Sequence, residues 1–283
     1  MLWTLFNILQ LKSTILFSGG NTFKSKYAMS SIIEQWKFDS YNKGKEEMFV
    51  KVEVWSDYVC PFCYIGKRQL EKAIKDSGYE GQIEVEYKSF LLDPTTPIDA
   101  DEPVITSLAK KYRMSEAEAK NMTNNVAVRA KEVGLNYNFD NMKTANTVAA
   151  HRLAKWAETK GKGHEMSERL LKAYFLDGEA IGKKDVLLKL VEEVGLDQTE
   201  ATEVLDGTMF KAEVDKDIYE AQQLGVRGVP FFVFDNKYGI SGAQPQPLFE
   251  QTIEKVASEA GLKPKLKMVG DEGGLCTDDH CDI

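Results

Sequence analysis

The chain has 283 residues, 43% of them hydrophobic, with four cysteines and a formal net charge of -8. That is enough apolar chain for a sizeable core in one large domain or two smaller ones. The acidic balance argues against nucleic acid as a partner and for a soluble surface, and two close cysteine pairs are unlike the scattered framework of a small secreted domain, so the composition points to a reducing compartment.

The first segment carries Leu2, Trp3, Leu5, Phe6, Ile8 and Leu9, interrupted by Asn7, Gln10, Lys12 and Ser13. A secretory signal would open with basic residues, which are absent, and the run is too short and too interrupted to span a bilayer comfortably. We read residues 1–47 as a dispensable N-terminal extension and polar linker, with Met29 and Met48 as alternative starts. The expected location is cytoplasmic, without stable membrane association. Export or anchoring through the apolar segment is the alternative.

The alternation Val50, Val52, Val54 predicts a strand to about Trp55, and a helix is expected from Cys63 to about Ser77. Between them stands Cys60-Pro61-Phe62-Cys63. At a helix N-terminus the unpaired N–H groups and the helix dipole favour a negative charge, so Cys60 is placed to react as a reachable thiolate. Pro61 suits the first helical turn because it has no N–H to leave unpaired. Cys63, one turn on, can displace a mixed disulfide formed by Cys60. The same spacing also fits half of a zinc site, or two small buried hydrophobes.

Gln82 to Leu91 alternates through Ile83, Val85 and Tyr87, predicting a second, parallel strand and a βαβ unit. Asp93-Pro94-Thr95-Thr96-Pro97, with Pro103 following, then breaks the chain as a domain-crossing loop would. From Val104 to Leu205 nearly every segment reads as helix. Ser115-Glu116-Ala117-Glu118 carries a capping-box pattern, and helices are expected over 144–159, 162–176, 183–194 and 198–205. His151 falls within one of them, as an auxiliary group for substrate or thiolate or as a packing element. His164, between Gly163 and Glu165, reads as a solvated loop residue. Asp57 and Tyr58 flank the dithiol, as entrance-shaping or turn residues.

A helix over 209–224 leads to Gly228-Val229-Pro230-Phe231-Phe232-Val233. Here Val229-Pro230 is a candidate cis bond, and the chain beside it is a groove edge for an extended peptide. Phe231 to Phe234 and Tyr238 to Ser241 read as a hairpin, and 247–260 as a closing helix. Phe62, Tyr64, Phe90, Phe231 and Phe232 are expected to divide between core and an apolar lip around the sulfur. The tail, expected to be flexible, adds Cys276 and Cys281 beside His280. This second pair is a redox relay, a passive pair, or part of a zinc site with Cys60 and Cys63. No phosphate loop or dinucleotide fingerprint occurs, so electrons are expected from a thiol partner and no cofactor is expected.

Trp55-Ser56-Asp57-Tyr58-Val59-Cys60-Pro61-Phe62-Cys63-Tyr64-Ile65-Gly66-Lys67, Gly228 to Val233, and Ser241-Gly242-Ala243-Gln244-Pro245 together resemble the DsbA family, in its FrnE-like branch. The resemblance implies an α/β chain: a thioredoxin fold with an inserted all-helical domain. It places the thioredoxin domain in residues 48–98 and 209–262, the insert in 99–208, and a tail in 263–283. It implies a protein dithiol-disulfide oxidoreductase or isomerase. Cys60 would be the nucleophile and Cys63 the resolving thiol, with Val229, Pro230 and Phe62 binding substrate and Cys276 and Cys281 as a relay. The implied partners are protein or peptide disulfides and a thiol reductant such as thioredoxin or glutathione. Kappa-class glutathione transferases and 2-hydroxychromene-2-carboxylate isomerases share the architecture but carry serine where Cys60 stands. A glutathione-dependent isomerase or transferase, and a zinc-binding non-catalytic protein, are therefore the competing readings.

Overall fold

The structure is a computed structural model and describes residues 49–265. The expected strand forms as β1 (Val50–Ser56), with Val50, Val52 and Val54 buried and Lys51 and Glu53 half-buried. β2 (Ile83–Ser89) pairs with it in parallel, Val52 opposite Val85. Parallel neighbours need a crossover, and α1 (Pro61–Ser77) supplies it. This helix stops at Gly78, whose φ of 78° suits glycine and where a Cβ would meet the Lys265 carbonyl at 3.2 Å.

On the other side of β1, β3 (Phe231–Phe234) runs antiparallel with Val54 opposite Phe232, and β4 (Tyr238–Ser241) returns beside it. The turn between them, Asp235-Asn236-Lys237, holds Asp235 and Asn236 at positive φ, which these short polar side chains tolerate. The sheet order is β2-β1-β3-β4.

Between β2 and β3 lies the helical insertion. It comprises α2 (Val104–Tyr112), α3 (Glu116–Glu132), α4 (Val148–Thr159), α5 (Gly163–Lys172), α6 (Lys184–Glu193) and α7 (Gln198–Asp206), followed by α8 (Lys211–Gln223), which leads back to the sheet. The capping box expected at Ser115 is present: its hydroxyl accepts the Glu118 N–H at 3.2 Å, and the Glu118 carboxylate accepts the Ser115 N–H at 2.8 Å. Two helices differ from expectation. α4 begins at Val148 rather than Thr144, because the Asn146 side chain accepts the Val148 N–H and donates to the Thr96 carbonyl, holding the chain out of helix. The helix expected over 162–176 widens after Lys172 into a π-helical turn, Ala173–Asp177.

α9 (Gln246–Glu259) packs on α1. One core lies between the sheet and these two helices, with Val50, Val52, Val54, Leu70, Phe232, Phe234, Phe249 and Ile253. A second fills the insertion around Leu153, Trp156, Met166, Leu170, Phe175 and Leu190, and takes in Tyr58, Tyr64 and Ile65 from the dithiol segment. Each such side chain contributes about 1.5–3 kcal/mol by leaving water. Thus α1 sends its first turns into the helical core and its later turns into the sheet core. Among the described residues no helix is long and apolar enough to cross a membrane. The N-terminal extension, its apolar segment and its alternative starts lie outside the described residues.

Candidate functional site

Cys60 is the N-cap of α1 and Pro61 its first residue. The Cys60 N–H donates to the Asp57 carbonyl and the Cys63 N–H to the Cys60 carbonyl, each at 3.0 Å, so the turn closes on itself without a side-chain cap. Both cysteines are free thiols. The Cys60 sulfur, at the open N-terminal end of the helix, donates to the Val229 carbonyl at 3.3 Å.

The expectation of a reachable sulfur is corrected here: Cys60 is only 3% exposed. Groups from α3 and the loop after it pack against the dithiol turn. Tyr137, from the loop after α3, donates its hydroxyl to the Pro61 carbonyl at 2.7 Å. Arg129 of α3 lies over the Phe62 ring at 5.1 Å. Burial, and then the neighbouring Cys60, push the Tyr137 phenol far above its ordinary range, so it stays protonated as a donor. Cys63 is as buried as Cys60. Burial pushes its thiol well up, the Cys60 sulfur adds to this, and hydrogen bonds from the Ser56 side chain and the Asp57 backbone oppose it.

Val229-Pro230 is cis, with Pro230 buried and Val229 half-buried. Gly66 explains how α1 comes so near this strand. A Cβ there would stand 2.9 Å from the Phe232 ring and 3.1 Å from the Pro230 ring, so only glycine fits without a shift. Among the aromatic residues singled out in the sequence, Tyr64 and Phe232 are core, while Phe62, Phe90 and Phe231 are half-buried. α1 is tied to the insertion through Glu168 of α5, which accepts the Tyr64 hydroxyl at 2.6 Å, pairs with Lys67 at 2.7 Å and also holds Arg68.

His151 is buried on α4, with its ring 4.6 Å from Tyr58 and its Nε2 3.4 Å from the Asp57 carboxylate. Asp57, a possible entrance residue by sequence, is 1% exposed and uses its other oxygen to accept the Leu92 N–H at 2.8 Å. His164 is exposed, but lies in the first turn of α5 rather than in a loop, against the edge of Tyr87. Cys276, Cys281 and His280 lie outside the described residues. Among the described residues no group of three or more His, Cys, Asp or Glu is arranged around a common point.

Sequence reasoning missed the charged interior next to the dithiol. Lys155 of α4 pairs with Asp217 of α8 at 2.9 Å and donates to the Tyr87 carbonyl at 3.0 Å. Asp217 also accepts the Ser89 N–H at 2.8 Å, and its carbonyl accepts the Trp55 indole N–H at 2.8 Å. Lys88 of β2 pairs with Glu86 at 2.8 Å and stands 3.6 Å from Asp217. No signal in the sequence marked it: His151, Arg152 and Lys155 share one face of Val148–Thr159, as on a solvated amphipathic helix, yet that face is buried here.

Comparison with known proteins agrees with this architecture. The family model for the DSBA-like thioredoxin domain matches residues 51–254. The Bacillus subtilis (strain 168) protein YwbO is 31% identical over 210 residues, covering 73% of this chain and 96% of that protein. The crystal structure of a probable DsbA oxidoreductase from Streptomyces coelicolor superposes with a TM-score of 0.72 at 35% identity, covering 83% of this chain and 99% of that one. A 2-hydroxychromene-2-carboxylate isomerase shares the fold, with a TM-score of 0.57 at 16% identity over 75% of this chain and 98% of its own. The matched family model spans both the dithiol and the strand that faces it, and the chain belongs to the DsbA-like thioredoxin domain family.

Proposed function

We propose that this protein is a thiol-disulfide oxidoreductase acting on protein or peptide disulfides, with Cys60 as nucleophile and Cys63 as resolving thiol. The observation that carries this reading is a cysteine pair at the start of α1 whose outer sulfur touches the backbone of Val229, beside Pro230. Family membership and the similarity to an oxidoreductase at 35% identity support it.

In this mechanism an extended substrate lies along the Val229-Pro230 edge, with Phe62 at its flank. The thiol contact to the Val229 carbonyl is a neutral hydrogen bond with a net worth of only about 0.5–1.5 kcal/mol, so an incoming disulfide can replace it and uncover the buried sulfur. The Cys60 thiolate forms a mixed disulfide, and Cys63 then attacks Cys60 and releases the second substrate thiol. A thiol reductant such as thioredoxin or glutathione restores the dithiol in a reducing, cytoplasmic setting. The boundaries 99–208 for the insert and 48–98 with 209–262 for the thioredoxin domain belong to the same proposal, as does a relay through Cys276 and Cys281.

The test is insulin-disulfide reduction. Cys60→Ser is expected to abolish it, and Cys63→Ser to accumulate mixed disulfides with substrate. Turnover that survives Cys60→Ser would sink the assignment. Activity that survives Cys63→Ser together with measurable glutathione affinity would favour the glutathione-dependent alternative.

A further inference from the structure

The attack by Cys63 leaves one proton without a destination. Cys63 is buried, and burial holds its thiol in the protonated form. A thiol is a poor nucleophile until that proton leaves. The Ser56 side chain stands close enough to the Cys63 sulfur to oppose the rise in its pKa. Ser56 also lines a small cavity of about 10 Å³, with His151, Tyr58, Lys155, Glu158 and Ser167 among its other walls. That volume is about right for a single water, and the walls are polar enough to hold one.

His151 is the wall residue left without a fixed partner. Its Nε2 faces Asp57 Oδ1 at 3.4 Å, and apart from that contact neither atom has a hydrogen-bond partner among the described residues. Both side chains are more than nine-tenths buried. Two such atoms facing each other are costly to keep unless they share or exchange a proton. The other charged walls are already engaged: Lys155 by Asp217 and the Tyr87 carbonyl, Glu158 by Lys155, and Lys88 of β2 by Glu86. The Tyr58 hydroxyl is paired with Ser167 at 3.1 Å.

We propose that His151, backed by the Asp57 carboxylate, accepts the proton that Cys63 gives up when its sulfur displaces the substrate from Cys60, with the Ser56 hydroxyl and one water in this cavity carrying the proton across. This step rests on the exchange chemistry proposed above. The bond between the Cys63 and Cys60 sulfurs forms as the bond between Cys60 and the substrate sulfur breaks. The electron pair leaves on the substrate thiolate, which takes a proton from solvent. The cysteine pair is oxidised and the substrate disulfide reduced. Ser56 can pass the proton because a hydroxyl both donates and accepts. Asp57 compensates the imidazolium and acts as a positioning residue, through His151.

The experiment is stopped-flow reaction with dithiobis-nitrobenzoate of the full-length chain carrying Cys276→Ser and Cys281→Ser, so that coloured thiolate is released only when Cys60 attacks and again when Cys63 resolves. His151→Gln is expected to leave the first release unchanged and slow the second by about 100- to 10,000-fold, the usual contribution of a positioned acid-base group. The slowed phase should then rise about tenfold per pH unit, as it would if solvent hydroxide had become the proton acceptor. Ser56→Ala should show the same split, and a thermal melt of each variant reports whether it is folded. A second release that is unchanged in His151→Gln overturns the proposal. So does a matched slowing of both releases, which a purely structural histidine would produce. Absence of the first release in the chain that keeps Cys60, Cys63, Ser56 and His151 would instead sink the exchange reading, and this step with it.

Discussion

On one face of the sheet Val50, Val52 and Val54 of β1 meet Leu70, Phe249 and Ile253, while on the other Glu53, Trp55, Glu86 and Lys88 meet α4 and α8 through Lys155 and Asp217. The first face is held by area removed from water, which is indifferent to pH and tolerant of which apolar neighbour provides the contact. The second is held by charges that are affordable inside only because each has a counter-charge or a backbone partner. Stability on the apolar face therefore depends on volume, and on the charged face on pairing. The dithiol sits where the two meet.

The largest effect is expected from breaking a pair. Asp217→Ala removes the partner of buried Lys155 and the acceptor of the Ser89 N–H. The loss should be about 3 kcal/mol in urea unfolding, because buried Lys155 is left with only the more distant Glu158 as counter-charge and the Ser89 N–H is orphaned. A cost below about 1 kcal/mol would mean that water reaches Lys155 and that this face is not a true interior.

On the apolar face the matching perturbation is one added methyl group. Gly66→Ala places a Cβ against Phe232 and Pro230. Overpacking should cost about 1–3 kcal/mol in the same unfolding assay. A neutral result would show that α1 can slide on β3, and would remove the argument that glycine sets their separation.

The smallest expected effect separates the faces by pH. Burial works against the charge of Glu86, but Lys51 and Lys88 outweigh it and lower its carboxyl from 4.5 to about 2. A folded-state value below the unfolded one means that stability is fully present above about 4.5 and is lost as pH falls towards about 2. Because Glu86 is partly exposed, solvent screening reduces the contribution to about 1–2 kcal/mol. Unfolding free energy measured across that interval should fall, and Glu86→Gln should remove that part of the slope. An unchanged slope in Glu86→Gln would assign the acid sensitivity to other carboxylates.

Much of the framework was legible from one chain. Alternating valines marked β1, the Ser115-to-Glu118 spacing marked the start of α3, and Val229-Pro230 ahead of an apolar run marked the strand facing the cysteines. The misreadings have local causes. Asn146 satisfied the backbone where helix propensity suggested an earlier start, and His164 lay inside a helix whose first residue is glycine. At the site, the dithiol and its helix were readable, but the burial of Cys60 was not, because the groups that close over it come from α3 and the loop after it, far along the chain.

By itself the sequence determined the strand-turn-helix that carries Cys60 and Cys63, the apolar face of β1 and the helical character of the insertion, since all of these rest on local propensity and periodicity. Only the tertiary structure decided that His151 faces Asp57, that Lys155 finds Asp217, and that Ser56 and His151 line one cavity of a single water's size. Periodicity tells which side of an element turns inward. Which distant residue it meets there depends on how the helices pack against the sheet.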